Sequence, residues 1–117
     1  MTNKEFAEFL LPGVKHTWQE YEEMYPERDL KEGAIVTRFA PSPTGFVHIG
    51  ALLVSFIAQR FSKQTDGVFF LRIEDTDAKR TVEGAVDLVI NSLRYFDIEF
   101  DEGAGFPDSD PVNAYGP

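Results

Sequence analysis

The sequence contains no cysteine, which excludes disulfides and any thiolate-held zinc site in this chain. That composition suits a reducing cytosol. Basic residues are scarce: 11 Lys and Arg stand against 20 Asp and Glu, for a net charge of −9. An acidic chain is not a nucleic-acid binder by its bulk field, which leaves a local basic patch, or further parts of a larger protein, as the routes to RNA. Long apolar runs are absent as well. None approaches the roughly 20 residues of a membrane span. The opening "MTNKEFAEF" has mixed charge and no apolar core of a signal peptide. These absences set the expectation of a soluble, cytoplasmic protein with no membrane partner. What is present is enough for one small domain: 117 residues, 43% of them apolar, with 11 phenylalanines. A chain of this size hides only about two-thirds of its unfolded surface.

The pattern along the chain predicts a helical lead-in over residues 1–33. "NKEFAEFLLPG" sets Phe6, Phe9 and Leu10 at helical spacing with Pro12-Gly13 as a stop, and "HTWQEYEEMYP" offers Thr17 as N-cap, then Trp18, Tyr21 and Tyr25 before Pro26. Both are expected to pack on a larger body. "GAIVTRF" reads as a buried strand, and "HIGALLVSFIAQRFSKQT" as a helix with an apolar stripe of Ile49, Leu53, Phe56, Ile57 and Phe61, leaving Ser55, Gln59, Ser62 and Lys63 elsewhere. "DGVFFLRI" is a second strand after an Asp-Gly turn. Strand, long helix and strand make a βαβ unit, so the strands are expected to be parallel with a right-handed crossover. "TVEGAVDLVINSLRYF" gives another helix, capped at Thr81, with Val82, Val86, Val89, Ile90 and Leu93 inward. No regular element is expected beyond about Phe100. The fold class is therefore α/β, with 1–33 a helical extension, 34–100 the N-terminal half of a parallel-sheet α/β domain, and 101–117 an irregular, solvated acidic tail leading into a missing remainder.

Chemistry concentrates in "RFAPSPTGFVHIG", residues 38–50. Parallel sheets present their carboxyl-end loops to ligands, and a helix N-terminus favours phosphate. Gly45 and Gly50 carry no Cβ and permit close backbone approach; Thr44 and His48 can donate to phosphate oxygens. This geometry alone says nucleotide or phosphate. Each residue also has an ordinary reading: Arg38 as a surface ion pair, His48 as a cap, Glu74 as a solvated loop acid, His16 as surface. Asp75 and Asp77 are a thin ligand set for a metal, and the acids of 97–110 lack the spacing of an EF-hand loop, so no protein metal site is expected.

"RFAPSPTGFVHIG" followed by "LRIEDTDAKR" resembles the catalytic domain of the class I aminoacyl-tRNA synthetases, and within them the glutamyl-tRNA synthetases. "HIGA" at 48–51 is similar to the first signature of the class, with alanine where many members have a second histidine. "IEDTD" at 73–77 resembles the glutamyl/glutaminyl branch. Ser42 and Thr44 look like the glutamyl type, since the glutaminyl type usually has Glu and Asn there. The resemblance covers about residues 34–103. The lead-in is longer than in many members and resembles that of a bacterial subgroup.

The resemblance implies a Rossmann-like nucleotide-binding fold. It also implies ATP-dependent activation of glutamate to glutamyl-adenylate, followed by transfer to the 3′ end of tRNA(Glu). By that analogy Arg38 reads the side-chain carboxylate of glutamate, Ser42 and the Ala40 backbone hold the amino-acid end, and Glu74 pairs with the α-ammonium. Thr44 and His48 hold ATP phosphates in the catalytic step, and Gly50 and Ala51 pass beneath adenine and ribose. ATP is a substrate and brings Mg²⁺ with it. Asp75, Thr76 and Asp77 shape the pocket or the tRNA end, while Arg72 and Arg80 are expected to be structural or tRNA-backbone contacts. The class also carries a second, lysine-rich signature of KMSKS type, and none of Lys4, Lys15, Lys31, Lys63 and Lys79 lies in one. The expectation is the N-terminal piece of a longer ligase, inactive alone and able to self-associate through unfinished apolar faces. The alternatives are a non-catalytic nucleotide- or amino-acid-binding fragment or paralogue, and a glutaminyl or tRNA-modifying relative.

Overall fold

Thr2 and Thr17 each start a helix by the same device. In the computed structural model, which describes residues 1–77 and 79–105, helix α1 spans Asn3–Leu10 and α2 spans Trp18–Met24. At each start the threonine hydroxyl accepts the amide of the glutamate three residues on, and that glutamate's carboxylate accepts the threonine amide in return, both pairs at 3.3 and 2.6 Å. This capping box satisfies two orphan donors at each helix start. The T-x-x-E spacing marks both helices in the sequence, although only Thr17 is singled out there. Neither helix buries a residue, so the expected packing of these two helices on a larger body is not found among the described residues. Phe6, Phe9, Trp18 and Tyr21 stay exposed.

The threonine hydrogen bonds, backbone first and hydroxyl second, hold the Glu5 and Glu20 carboxyls below their ordinary value of 4.5. A carboxyl whose folded pKa is lowered stabilises the helix above its unfolded value and releases that contribution as pH falls through the lowered folded value. The amide resonances of Glu5 and Glu20 are therefore expected to shift toward their unfolded positions as pH drops below 4.5. Thr2→Ala with Thr17→Ala should remove that pH dependence. An unaltered titration in the double variant would contradict the capping account.

Strand β1 (Val36–Phe39), helix α3 (Ile49–Gln64) and strand β2 (Val68–Leu71) form the βαβ unit, with α4 (Ala85–Tyr95) leading to β3 (Glu102–Gly103). All pairings are parallel and the sheet order is β1-β2-β3, as strand–helix–strand spacing dictates. β1 is an edge strand rather than a buried one: Phe39 alone of its four residues is buried. Phe39, Phe69 and Leu71 from the sheet, Leu52 from α3, Val89, Ile90 and Leu93 from α4, and Ile98 make the core.

The face that α3 turns to the sheet is the reverse of its apolar stripe. Ser55, Gln59 and Ser62 are fully buried, at 0% exposure, while Ile49, Leu53, Phe56, Ile57 and Phe61 are exposed, Ile49 at 76% and Leu53 at 58%. The reason is size and self-satisfaction. Ser55 and Ser62 donate to carbonyls of their own helix at 2.7 and 2.9 Å, so burial leaves no lost hydrogen bond. Their small side chains, with Ala51 and Ala58, let the helix approach the strands closely. Thr37 Oγ1 then reaches the Ala58 carbonyl at 2.8 Å, and Gln59 Nε2 reaches that of Glu99 at 2.8 Å.

Helix α4 begins four residues later than its expected cap at Thr81. The N-cap is Gly84, whose φ of +75° lies in the left-handed region that glycine adopts at little cost. Val82 precedes the helix: its amide donates to the Pro43 carbonyl at 2.9 Å, and its side chain is exposed rather than inward. Val89, Ile90 and Leu93 face inward as expected.

The chain beyond Phe100 is also more ordered than an irregular acidic tail. Asp101 exchanges two bonds with Phe69, its carboxylate and its amide each at 2.8 Å. Glu102 receives a two-pronged bond from Arg28, Nε to Oε1 at 3.0 Å and Nη2 to Oε2 at 2.8 Å, and that guanidinium lies 5.7 Å from the Phe70 ring centre. Both acids find partners at least 32 positions away, which no local pattern reveals. The rest of the expected acidic tail, with Asp108 and Asp110, lies outside the described residues.

Candidate active site

Two loops leave the carboxyl ends of adjacent strands: residues 40–48 after β1 and 72–84 after β2. Three backbone bonds lace them together. The amides of Arg72, Glu74 and Val82 donate to the carbonyls of Phe39, Pro41 and Pro43 at 2.9, 3.0 and 2.9 Å. The first continues the β1–β2 ladder by one step, and the other two fasten the proline loop to the acidic loop. Alternate residues of "PSP" point their carbonyls at the acidic loop, and Pro43 is buried there. Prolines suit this role, since each fixes φ and retains its acceptor.

The lacing brings Arg38 and Glu74 together across 36 positions of sequence. Arg38 Nη1 stands 3.6 Å from Glu74 Oε1, and Arg72 Nε stands 3.7 Å from the same oxygen. Arg38 lies on β1, where it pairs in register with Phe70. Alternation puts both on the sheet face opposite Phe39, Phe69 and Leu71, away from the core. Ala40 follows at the strand end, half-buried, and Ser42 is exposed in the loop, its carbonyl accepting the Thr44 amide at 2.8 Å.

His48 is the N-cap of α3, with extended backbone and no capping bond from its ring. Its carbonyl accepts the amides of Ala51 and Leu52 at 3.0 and 3.1 Å. His48 thus holds the cap position of its ordinary reading, while its ring is not used up by the helix start. Thr44, His48 and Gly50 are all exposed along one loop and helix start. A Cβ built on Gly50 would meet nothing within 4 Å, so nothing among the described residues requires glycine there. Among the described residues, no hydrogen bond or ion pair joins Thr44 or His48 to the Arg38–Glu74 pair.

Asp77 is committed within its own loop. Its carboxylate accepts the Lys79 amide at 3.2 Å and Arg80 Nε at 2.7 Å. Among the described residues no three His, Asp or Glu side chains gather as a metal site, and no helix is long and apolar enough to cross a membrane. Arg72, expected as a structural or tRNA-backbone contact, lies two residues after Phe70 and so on the same sheet face as Arg38.

Comparison with known proteins supplies the context. The family model for tRNA synthetases class I (E and Q), catalytic domain, matches residues 34–115. A glutamate–tRNA ligase of Acetivibrio thermocellus is 49% identical over 118 residues, covering 100% of this chain and 21% of that protein. One from Clostridium perfringens is 49% identical over 117 residues, with the same coverage of 100% and 21%. The crystal structure of a glutamate tRNA ligase from Elizabethkingia meningosepticum in complex with its amino acid superposes with a TM-score of 0.58 at 37% identity, over 63% of this chain and 16% of that one. The chain thus spans about a fifth of the length of the curated relatives it matches.

Proposed function

The chain belongs to the catalytic-domain family of the class I tRNA synthetases for E and Q, and from that premise we propose that it carries the glutamate- and ATP-binding half-site of a glutamate–tRNA ligase. The observation that carries the reading is the lacing of two loops that sets Arg38 and Glu74 3.6 Å apart at the carboxyl ends of parallel strands. A cation and an anion side by side are the complement of an amino acid with an acidic side chain. Arg38 takes the side-chain carboxylate, for which a planar guanidinium offers two parallel donors. Glu74 takes the α-ammonium. Ser42 and the backbone of Ala40 border the amino-acid end. Thr44 and His48 donate to ATP phosphates at the amino end of α3, where the helix dipole also favours the anion. Gly50 and Ala51 lie under the nucleotide; the open space at Gly50 then has a use, since a methyl group there would meet the ligand alone.

The reaction needs no nucleophile from the protein. The α-carboxylate of glutamate attacks the α-phosphorus of ATP, the bond to pyrophosphate breaks, and the mixed anhydride then passes its acyl group to a ribose hydroxyl of tRNA. The protein's share is orientation and charge stabilisation. ATP enters with Mg²⁺ as substrate. Among the described residues no three acids gather as a ligand set for that ion, and Asp77 is engaged by Arg80. The lysine-rich second signature has no counterpart in this sequence, so the 117-residue chain binds without turning over. The parent enzyme acts in the cytoplasm, with glutamate, ATP and tRNA(Glu) as partners. The exposed apolar face of α3 gives this chain a surface for self-association.

The test is binding of a non-hydrolysable glutamyl-adenylate analogue, with circular dichroism showing that each variant folds. Arg38→Ala, which removes a charged partner of the ligand, is expected to weaken binding by about 30-fold or more. His48→Ala should lose about tenfold, the worth of a hydrogen bond to a charged group. Gly50→Ala should fold as the wild type and bind poorly. A folded wild-type chain that does not bind the analogue would overturn the half-site reading.

A further inference from the structure

We infer that Arg72 is a second substrate-reading guanidinium, paired with Arg38, and that Glu74 is the exchangeable counter-ion that occupies their shared position until a substrate carboxylate arrives; this rests on the glutamate-binding reading above. Three observations carry it. The first is parity. β2 alternates half-buried Val68, buried Phe69, half-buried Phe70 and buried Leu71, so the next residue, Arg72, returns to the open face. Its amide bonds the Phe39 carbonyl at 2.9 Å, which sets it two residues beyond Phe70, the in-register partner of Arg38. Two guanidiniums thus rise from adjacent strand ends on one face.

The second is distance. The two nitrogens approach the same carboxylate oxygen at 3.6 and 3.7 Å. Both separations exceed those of a hydrogen bond. Arg28 holds Glu102 on the same sheet face by three bonds of 2.8 to 3.2 Å. The fold can therefore build a tight arginine–carboxylate pair on this face, and at Glu74 it has built a loose one. The third is charge. Two guanidiniums share a single carboxylate, leaving one positive charge uncompensated by any ion pair among the described residues. That count accommodates one further anion.

Glutamate fits the deficit and the exchange. Its side-chain carboxylate enters between Arg38 and Arg72, where each guanidinium can donate to it. Glu74, displaced from the two cations, turns its carboxylate to the incoming α-ammonium. No proton is transferred and no net charge is buried unpaired. The same motion that admits the substrate assembles its second contact.

Titration of the folded chain with L-glutamate, followed by nuclear magnetic resonance of the arginine Nε–Hε groups, tests this. In the wild type the Arg38 and Arg72 resonances should both move and saturate together. Arg72→Gln should weaken glutamate binding about tenfold or more, the loss expected for one hydrogen bond to a charged group, with an unchanged melting temperature because the side chain is exposed. Arg72→Lys, which keeps the charge, should recover part of that loss. Wild-type affinity in Arg72→Gln, or an Arg72 resonance that saturating glutamate leaves in place, overturns the inference and leaves the half-site reading intact. Absence of any glutamate binding by the folded wild type overturns both.

Discussion

Gly67→Ala is expected to lower the melting temperature by about 10 °C or more. Gly67 joins the end of α3 to β2, and its amide donates to the Ser62 carbonyl at 2.8 Å. A Cβ at this position would fall well inside contact distance of the Ile35 carbonyl, with the carbon and nitrogen of that residue crowded as well. All three are backbone atoms at the entry to β1, whose first ladder bond runs from the Val68 amide to the same Ile35 carbonyl at 3.2 Å. Relief therefore requires the β1–β2 pairing itself to open, not a side chain to swing aside. The loss should be about 3 kcal/mol or more, in the range reserved for backbone and core disruption. Native stabilities are only about 5–15 kcal/mol, and each kcal/mol moves the melting temperature of a small domain by roughly 4 °C or more. A thermal melt by circular dichroism should thus fall by about 10 °C at least. Gly50→Ala is the control, since nothing lies near its Cβ. Equal melting temperatures for the two variants would show that the close approach at Ile35 is not a constraint.

Helix α3 should respond to substitution in the opposite sense from its hydrophobic pattern. Leu53→Gln with Ile57→Gln removes two apolar side chains that are 58% and 45% exposed. Exposed changes of this kind usually stay within about 0.5 kcal/mol each, so the melting temperature should hold. Ser55→Leu places a larger side chain where the helix meets the sheet, at a residue with 0% exposure. It also discards a hydroxyl bonded to Ala51 at 2.7 Å. Overpacking alone costs about 1–3 kcal/mol, and the helix would have to lift from Thr37, which holds Ala58 at 2.8 Å. The apolar face should reveal itself in association instead. Sedimentation velocity is expected to show concentration-dependent self-association of the wild type, reduced in the Leu53→Gln, Ile57→Gln variant. A double variant that melts early, or a Ser55→Leu chain that melts as the wild type, would return the core to the apolar stripe.

The sequence by itself determined the existence of the four helices and first two strands, and the family. Apolar periods, the Asp66-Gly67 turn and the threonine caps are local, and local chemistry decides whether a helix or strand starts. The "PSPTG", "HIG" and "IEDTD" strings carried the family because a loop that must present particular groups leaves little freedom in its residues. The tertiary structure decided what depends on partners distant in the chain. Which face of α3 is buried was not legible, because hydrophobicity measures the cost of exposure. A helix lying close on a sheet is selected by size, and Ser55 and Ser62 meet that demand with their hydroxyls satisfied inside the helix. The cap of α4 is Gly84, at a φ of +75°, rather than Thr81, and the segment before it is fastened to the proline loop through Val82 and Pro43. Asp101 and Glu102 left the expected tail for the sheet because Phe69 and Arg28 stand opposite them. At the site, Arg38 and Glu74 could be named in advance. That Arg72 faces the same carboxylate oxygen as Arg38 follows only from the pairing of two parallel strands, since register places side chains together that sequence separates by 34 positions.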